Sequence, residues 1–219
     1  MIRILEIIKS TSSALLSNKK HSPLTDTQII AAVEALSDSN TTCLAFASRL
    51  IKGDMPVETE SLFLHNLNEM RPFTVIASSL EKSHQIALLD WAESLENSAK
   101  TFAELFGRAG LDSAPILNEL VKVEEPERGF GVGIAYTEFR KLADAFEKLI
   151  VGLNVNSDSY LFILAEKDKV QPWINVEIDQ RQFIENSDWQ FAEILAQNGL
   201  EVRSSKHPSR LKRPAPNNA

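Results

Sequence analysis

Along the first third of the chain, apolar residues return every three or four positions, the period of a helix with one buried face. The stretch SPLTDTQIIAAVEAL offers Thr25 or Asp26 as a cap and then sets Ile29, Ile30, Val33 and Leu36 on one side. The polar run SDSNTT ends that helix, and TTCLAFASRLIKG predicts a second, closed by Lys52 and Gly53. Pro56 opens an expected third, VETESLFLHNLNEM, with Leu62, Phe63, Leu67 and Met70 inward and Pro72 as its breaker. At the N-terminus, Ile4, Leu5, Ile8, Ser12, Leu15 and Leu16 share a helical face. Glu6 and Lys9 interrupt the apolar segment, and no small-residue cleavage site follows, so the stretch does not read as a signal peptide.

From Phe73 to Phe106 there is neither proline nor glycine. Leu88, Trp91, Leu95, Ser98, Phe102 and Leu105 alternate spacings of three and four, a heptad-like seam that predicts one long helix or two bent near Asn97. Phe and Trp suit a bundle core better than a coiled-coil seam, so a core helix is expected. Gly107 and Gly110 mark a stop, and Pro115 opens a short helix. A charged link at residues 124–128 leads into RGFGVGIAY. Beyond it, Phe139, Leu142, Ala143, Phe146, Leu149 and Ile150 keep helical spacing up to Gly152.

The pattern changes near Asn154. SYLFILAE and WINVEID are rich in strand formers, with turn residues between them, and predict a hairpin. DWQFAEILAQN reads as a helix capped by Asp188, and LEVRS as a last strand. The expected fold is therefore mainly α: a helical domain over 1–152, a small α+β unit of ββαβ order over 153–203, and a tail over 204–219. That tail holds three prolines and little apolar content, a composition that does not build a core.

Charge sharpens this layout. The 219 residues carry a net charge of −7, yet Arg203, Lys206, Arg210, Lys212 and Arg213 are followed or separated by no acid. Removing those five of the 23 bases leaves 18 against 30 acids, or −12, over residues 1–202. An acidic body with a short basic tail argues against a broad nucleic-acid-wrapping surface. The single cysteine, Cys43, excludes an intrachain disulfide and a cysteine-rich zinc site; it reads as a small buried apolar side chain. No apolar run approaches the ~20 residues that span a bilayer, and a cytoplasmic location is the expectation.

Chemistry is sparse. RGFGVGIAY holds three of the eight glycines, Gly129, Gly131 and Gly133, in five positions. The order is GxGxG rather than GxGxxG, the lead-in is charged, and no GK[ST] is present, so phosphate binding is the weakest of its readings. A GxxxG helix contact has most force in membranes. A strand with Phe130, Val132, Ile134 and Tyr136 on one face and a bare opposite face stands level with an irregular loop. Asp158, Glu177 and Asp179 are candidate carboxylates for a divalent cation, Glu177 and Asp179 lying two apart on an expected strand. A hairpin followed by a helix resembles restriction-endonuclease-like cores, but the Asp/Glu-x-Lys pattern is broken by Ala165, two before Lys167. The four histidines form no i, i+4 pair, and HExxH and GxSxG are absent.

Arg210, Lys212 and Arg213 are candidate anion or partner contacts. No cofactor is expected. The function that fits these features is a non-catalytic interaction or assembly subunit whose partner is another protein or a second copy. Its alternative is a metal-dependent phosphodiesterase or nuclease using Asp158, Glu177 and Asp179.

Overall fold

The structure, a computed structural model, describes residues 24–54, 71–124, 126–153, 159–179 and 182–186. The helices expected before residue 21, after Pro56 and after Asp188, the strand at 200–204 and the basic tail lie outside the described residues.

The first expected helices are present. Helix α1 (Asp26–Leu36) begins with a reciprocal capping box: the Thr25 hydroxyl accepts from Gln28 N at 3.3 Å, and Gln28 Oε1 accepts from Thr25 N at 2.9 Å. Ile29, Val33 and Leu36 are buried. Helix α2 (Thr41–Ile51) is capped by Asn40, whose Oδ1 accepts from Cys43 N, and it closes at Lys52 with Gly53 at φ +76°. Helix α3 (Arg71–Lys82) takes Pro72 in its first turn, where the missing N–H costs no helical bond.

The one long helix, or two bent near Asn97, expected over 73–106 is three elements. α3 stops where His84 adopts φ +55° and Gln85 N donates back to Leu80 O at 2.8 Å. Strand β1 (Ala87–Asp90) follows, and helix α4 (Leu95–Arg108) starts afresh on Ser94, whose hydroxyl accepts from Asn97 N. Leu95, Ser98, Phe102 and Leu105 form the buried face of α4, as the seam required. Leu88 and Trp91 are not on that helix.

Helix α5 (Ala114–Leu120) has the expected Pro115 in its first turn. Helix α6 (Gly131–Ala145) corrects the reading of the glycine stretch as strand or loop, because Gly131 and Gly133 open a helix. α6 is also shorter than its apolar spacing suggested. It ends at Ala145, Glu147 turns at φ +54°, and Leu149 and Ile150 belong to strand β2 (Lys148–Leu153).

Strand β3 (Ser159–Glu166) is followed by a turn of helix, α7 (Lys167–Val170), and a 3₁₀ turn (Gln171–Trp173). Strands β4 (Glu177–Asp179) and β5 (Gln182–Asn186) complete an antiparallel sheet in the order β1-β3-β2-β5-β4. The expected hairpin between SYLFILAE and WINVEID is not formed. β3 pairs with β2 and β1, and β4 pairs with β5.

Alternation along β2 and β3 divides the core in two. Leu149, Val151 and Leu153 face one side beside Ala165, Ile163 and Leu161, and pack with α1, α2 and α3. Ile150, opposite Leu164, faces the other side with Phe162 and packs with α4, α5 and α6. Helices thus cover both faces of one sheet. Strand β2 runs through the expected boundary at 152, and the described residues before it include β1 as well as helices. What the pattern did yield is a mixed, helix-rich fold.

Candidate functional site

The sheet ends on one side at β1, with no further strand beyond it among the described residues. Along β1 burial alternates: Ala87 and Leu89 are covered, Leu88 and Asp90 are exposed. Ala87 and Leu89 belong to the core beneath α4–α6. Leu88, paired with Leu161, projects on the other face and is 45% exposed. Trp91, one residue past the strand, is 41% exposed. These are two of the five large apolar side chains that stand clearly in solvent among the described residues.

The turn after β1 is tightly built. Asp90 Oδ1 accepts from Ala92 N at 2.8 Å, and Asp90 O accepts from Glu93 N at 3.1 Å. Glu93 Oε1 accepts from the Asn97 amide at 2.9 Å, beside the Ser94 cap. The Arg128 guanidinium carbon lies 5.2 Å from the centre of the Trp91 ring, a cation–π contact at an exposed site. Gly129 lies against the same ring at φ +94°, so a side chain there would meet both Trp91 and an unfavourable backbone conformation.

Gly131 completes the corner. A Cβ on it would lie 2.6 Å from Leu95 N and 2.7 Å from Glu93 O. The bare side of the glycine stretch is therefore filled by the backbone of the turn into α4. The expected close backbone approach is real, but it occurs helix against helix start. Gly133 is buried one half-turn on, and its carbonyl accepts from Thr137 Oγ1 at 2.7 Å.

The surroundings are acidic. Asp90, Glu96 and Glu127 are exposed and Glu93 is half-buried. Lys100 donates to Glu96 at 2.6 Å and holds its carboxyl below the usual range. The Arg128 guanidinium is engaged on Trp91.

A second charged cluster sits at the junction of α1 with β2 and β3. Asp38, at φ +50°, accepts from Lys148 Nζ at 2.7 Å and from Glu166 N at 2.9 Å. Glu166 pairs with Lys169 at 2.7 Å and raises the lysine's pKa, with desolvation opposing. These contacts tie the α1–α2 turn to the sheet, and every charge in them has a partner, which is how a structural clip is built.

The other expected site residues fare differently. Asp158, Arg210, Lys212 and Arg213 lie outside the described residues. Glu177 is half-buried on β4, and Asp179 ends that strand. The pairing with β5 shifts register between Glu177 and Asp179. Among the described residues no group of three or more His, Cys, Asp and Glu is disposed to hold a metal ion. Cys43 is fully buried, and burial pushes its thiol pKa up. No helix among the described residues is long and apolar enough to cross a membrane.

Leu88, Trp91 and Arg128 were not singled out by sequence as a site. The signal was the capping pattern Ser94-x-x-Asn97, which starts a helix after Trp91 and frees ALLD to be a strand. Compared with known proteins, the chain matches no family model, no curated protein and no solved structure.

Proposed function

We propose that the chain is a non-catalytic interaction subunit, and that it docks a protein partner at the corner formed by β1, Trp91 and the loop at 126–130. The observation that carries this reading is the pairing of an open strand edge with two exposed large apolar side chains, Leu88 and Trp91, on a rigidly bonded turn. An edge strand offers unpaired backbone donors and acceptors, and natural proteins usually blunt such edges with Lys, Pro or a bulge. ALLD has no Lys, Pro or bulge; it is four residues long and its one exposed charge is Asp90, at its end. Added-strand recognition uses such an edge for affinity and the alternating side chains for selectivity. An aromatic ring beside it is a frequent centre of binding energy.

The test compares wild type with Leu88→Lys in quantitative pull-downs from the native source. The variant should lose the specific partner by tenfold or more while its thermal melt is unchanged. Equal capture by both proteins would remove the corner from consideration. A solitary wild-type monomer in both light scattering and pull-down would remove the interaction role itself.

A further inference from the structure

We infer that the partner at the β1 edge is a second copy of this chain, paired antiparallel about a twofold axis at Leu88, an inference that rests on the docking reading above.

Alternation limits how this edge can pair with itself. Residues opposite one another in a ladder share a face of the sheet, and a twofold axis makes the pairing reciprocal. Two such registers use most of the strand: Leu88 opposite Leu88, or Leu89 opposite Leu89. The first sets the two exposed leucines against each other at the axis. The second sets each of them against a carboxylate, Asp90. The first is therefore favoured. In it Asp90 lies opposite Ile86 of the second copy, and about 13 Å along the strand from its own counterpart, so like charges do not face. The side of the sheet that carries Leu88 has room for this contact, because Leu88 is 45% exposed there.

Charge complementarity selects the antiparallel sense. Helix α4 runs back along β1. It starts at Ser94, just past Asp90, and near its end the Arg108 Nη1 donates to His84 O at 3.0 Å, just before the strand. The two ends of the edge therefore differ. At one end are Asp90, Glu93 and Glu127, none of which makes an ion pair among the described residues. Arg128 at that end is engaged on Trp91. At the other end Lys82 is exposed and makes no ion pair among the described residues, and Arg108 is shared with Glu104 at 3.2 Å. Glu81, beside Lys82, is half-buried and already engaged. Antiparallel pairing sets the acidic end of each copy on the Lys82 end of the other, twice over. Parallel pairing would set acid beside acid. The ladder is short, so the contact falls below the ~1,600 Å² usual in stable complexes, and the dimer should dissociate on dilution.

Light scattering on the full chain across a dilution series should show a dimer that gives way to monomer, and Leu88→Lys should remain monomeric throughout. Thermal melts of the variants are taken at the dilute end, because association itself stabilises the folded chain. The charge test uses two variants. Lys82→Glu leaves acid at both ends of the contact, and Glu93→Lys leaves base at both. Each alone should weaken association by about tenfold, while an equimolar mixture should recover it as a heterodimer. Oxidation with glutathione disulfide gives the register: Leu88→Cys should cross-link to itself in most molecules, and Asp90→Cys severalfold less, since only the first pair lies on the axis. Buried Cys43 stays out of the exchange. A mixture that stays monomeric, or equal cross-linking at 88 and 90, would overturn the pairing. A wild type that is monomeric at every concentration would overturn the second copy. If Leu88→Lys still lost a captured partner in that case, the edge would belong to another protein and the docking corner would stand; if it did not, both readings would fall.

Discussion

At the scale of single residues, Gly131 decides most. It is the first residue of α6, and the backbone of Glu93, Ser94 and Leu95 lies where its side chain would be. Those are main-chain atoms, and they cannot rotate out of the way as a flexible side chain does. Two effects oppose each other on substitution. Replacing a helical glycine by alanine contributes about 1 kcal/mol through propensity. Forcing a methyl within 2.6 Å of Leu95 N requires α4 to shift. Overpacking of this kind costs about 1–3 kcal/mol. Gly131→Val should therefore lower stability by about 1–3 kcal/mol, with Gly131→Ala smaller in the same direction. Urea midpoints measure both, and a Gly131→Ala protein more stable than wild type would contradict the close approach. The glycine concentration was legible in the sequence as a place of close contact. Whether a helix, a strand or a ligand made that contact was not, because bareness on one side is common to all three.

At the scale of elements, legibility followed local chemistry. α1, α2 and α5 were readable because capping residues, a closing glycine or a first-turn proline punctuate them. β1 was not, because a four-residue strand inserted between two helices without Gly or Pro leaves the three-four spacing of Leu88, Trp91 and Leu95 intact by coincidence. β2 was hidden in the same way: the helical spacing of Phe139 to Ala143 runs on through Leu149 and Ile150, though Glu147 turns the chain between. The hairpin failed for a different reason. Both segments are strands, but pairing depends on residues distant in sequence, and β2 has the longer apolar register with β3. The two readings of residues 88–98 predict opposite mutational patterns. A continuous buried helix would make Leu88 costly to change and Ser94 indifferent. With β1 and α4 as found, Ser94→Ala should lose about 1 kcal/mol through its cap. Leu88→Lys should stay within about 0.5 kcal/mol, because the side chain is exposed. Denaturant melts of both variants discriminate, and the reverse ranking would restore the long helix.

At the scale of the whole molecule, the question is whether the two helix layers fold separately. The sequence suggested a helical domain to residue 152 followed by a small mixed unit, because the composition changes there. In the structure that boundary lies inside β2, and the two cores lie on opposite faces of the shared sheet. β2 and β3 alternate between them. Ile150 and Leu164 serve the core that contains Phe102, while Val151 and Ile163 serve the core that contains Ile76. Neither strand can leave one core without leaving the other. Phe102 is itself enclosed by aromatic rings from α6 and β3, at 5.5 Å from Phe139 and 5.1 Å from Phe162. Removing its ring as Phe102→Ala should cost about 3–5 kcal/mol. Ile76→Val, in the other core, should cost about 0.5–1.5 kcal/mol. If the sheet couples the layers, each variant moves one shared transition, and circular dichroism and tryptophan fluorescence report the same midpoint in both. If the layers were independent units, Phe102→Ala would split the curve: one probe would shift while a part of the helical signal melted at the wild-type midpoint. Coincident midpoints in both variants are expected, since the shared strands leave no surface along which the two cores can part.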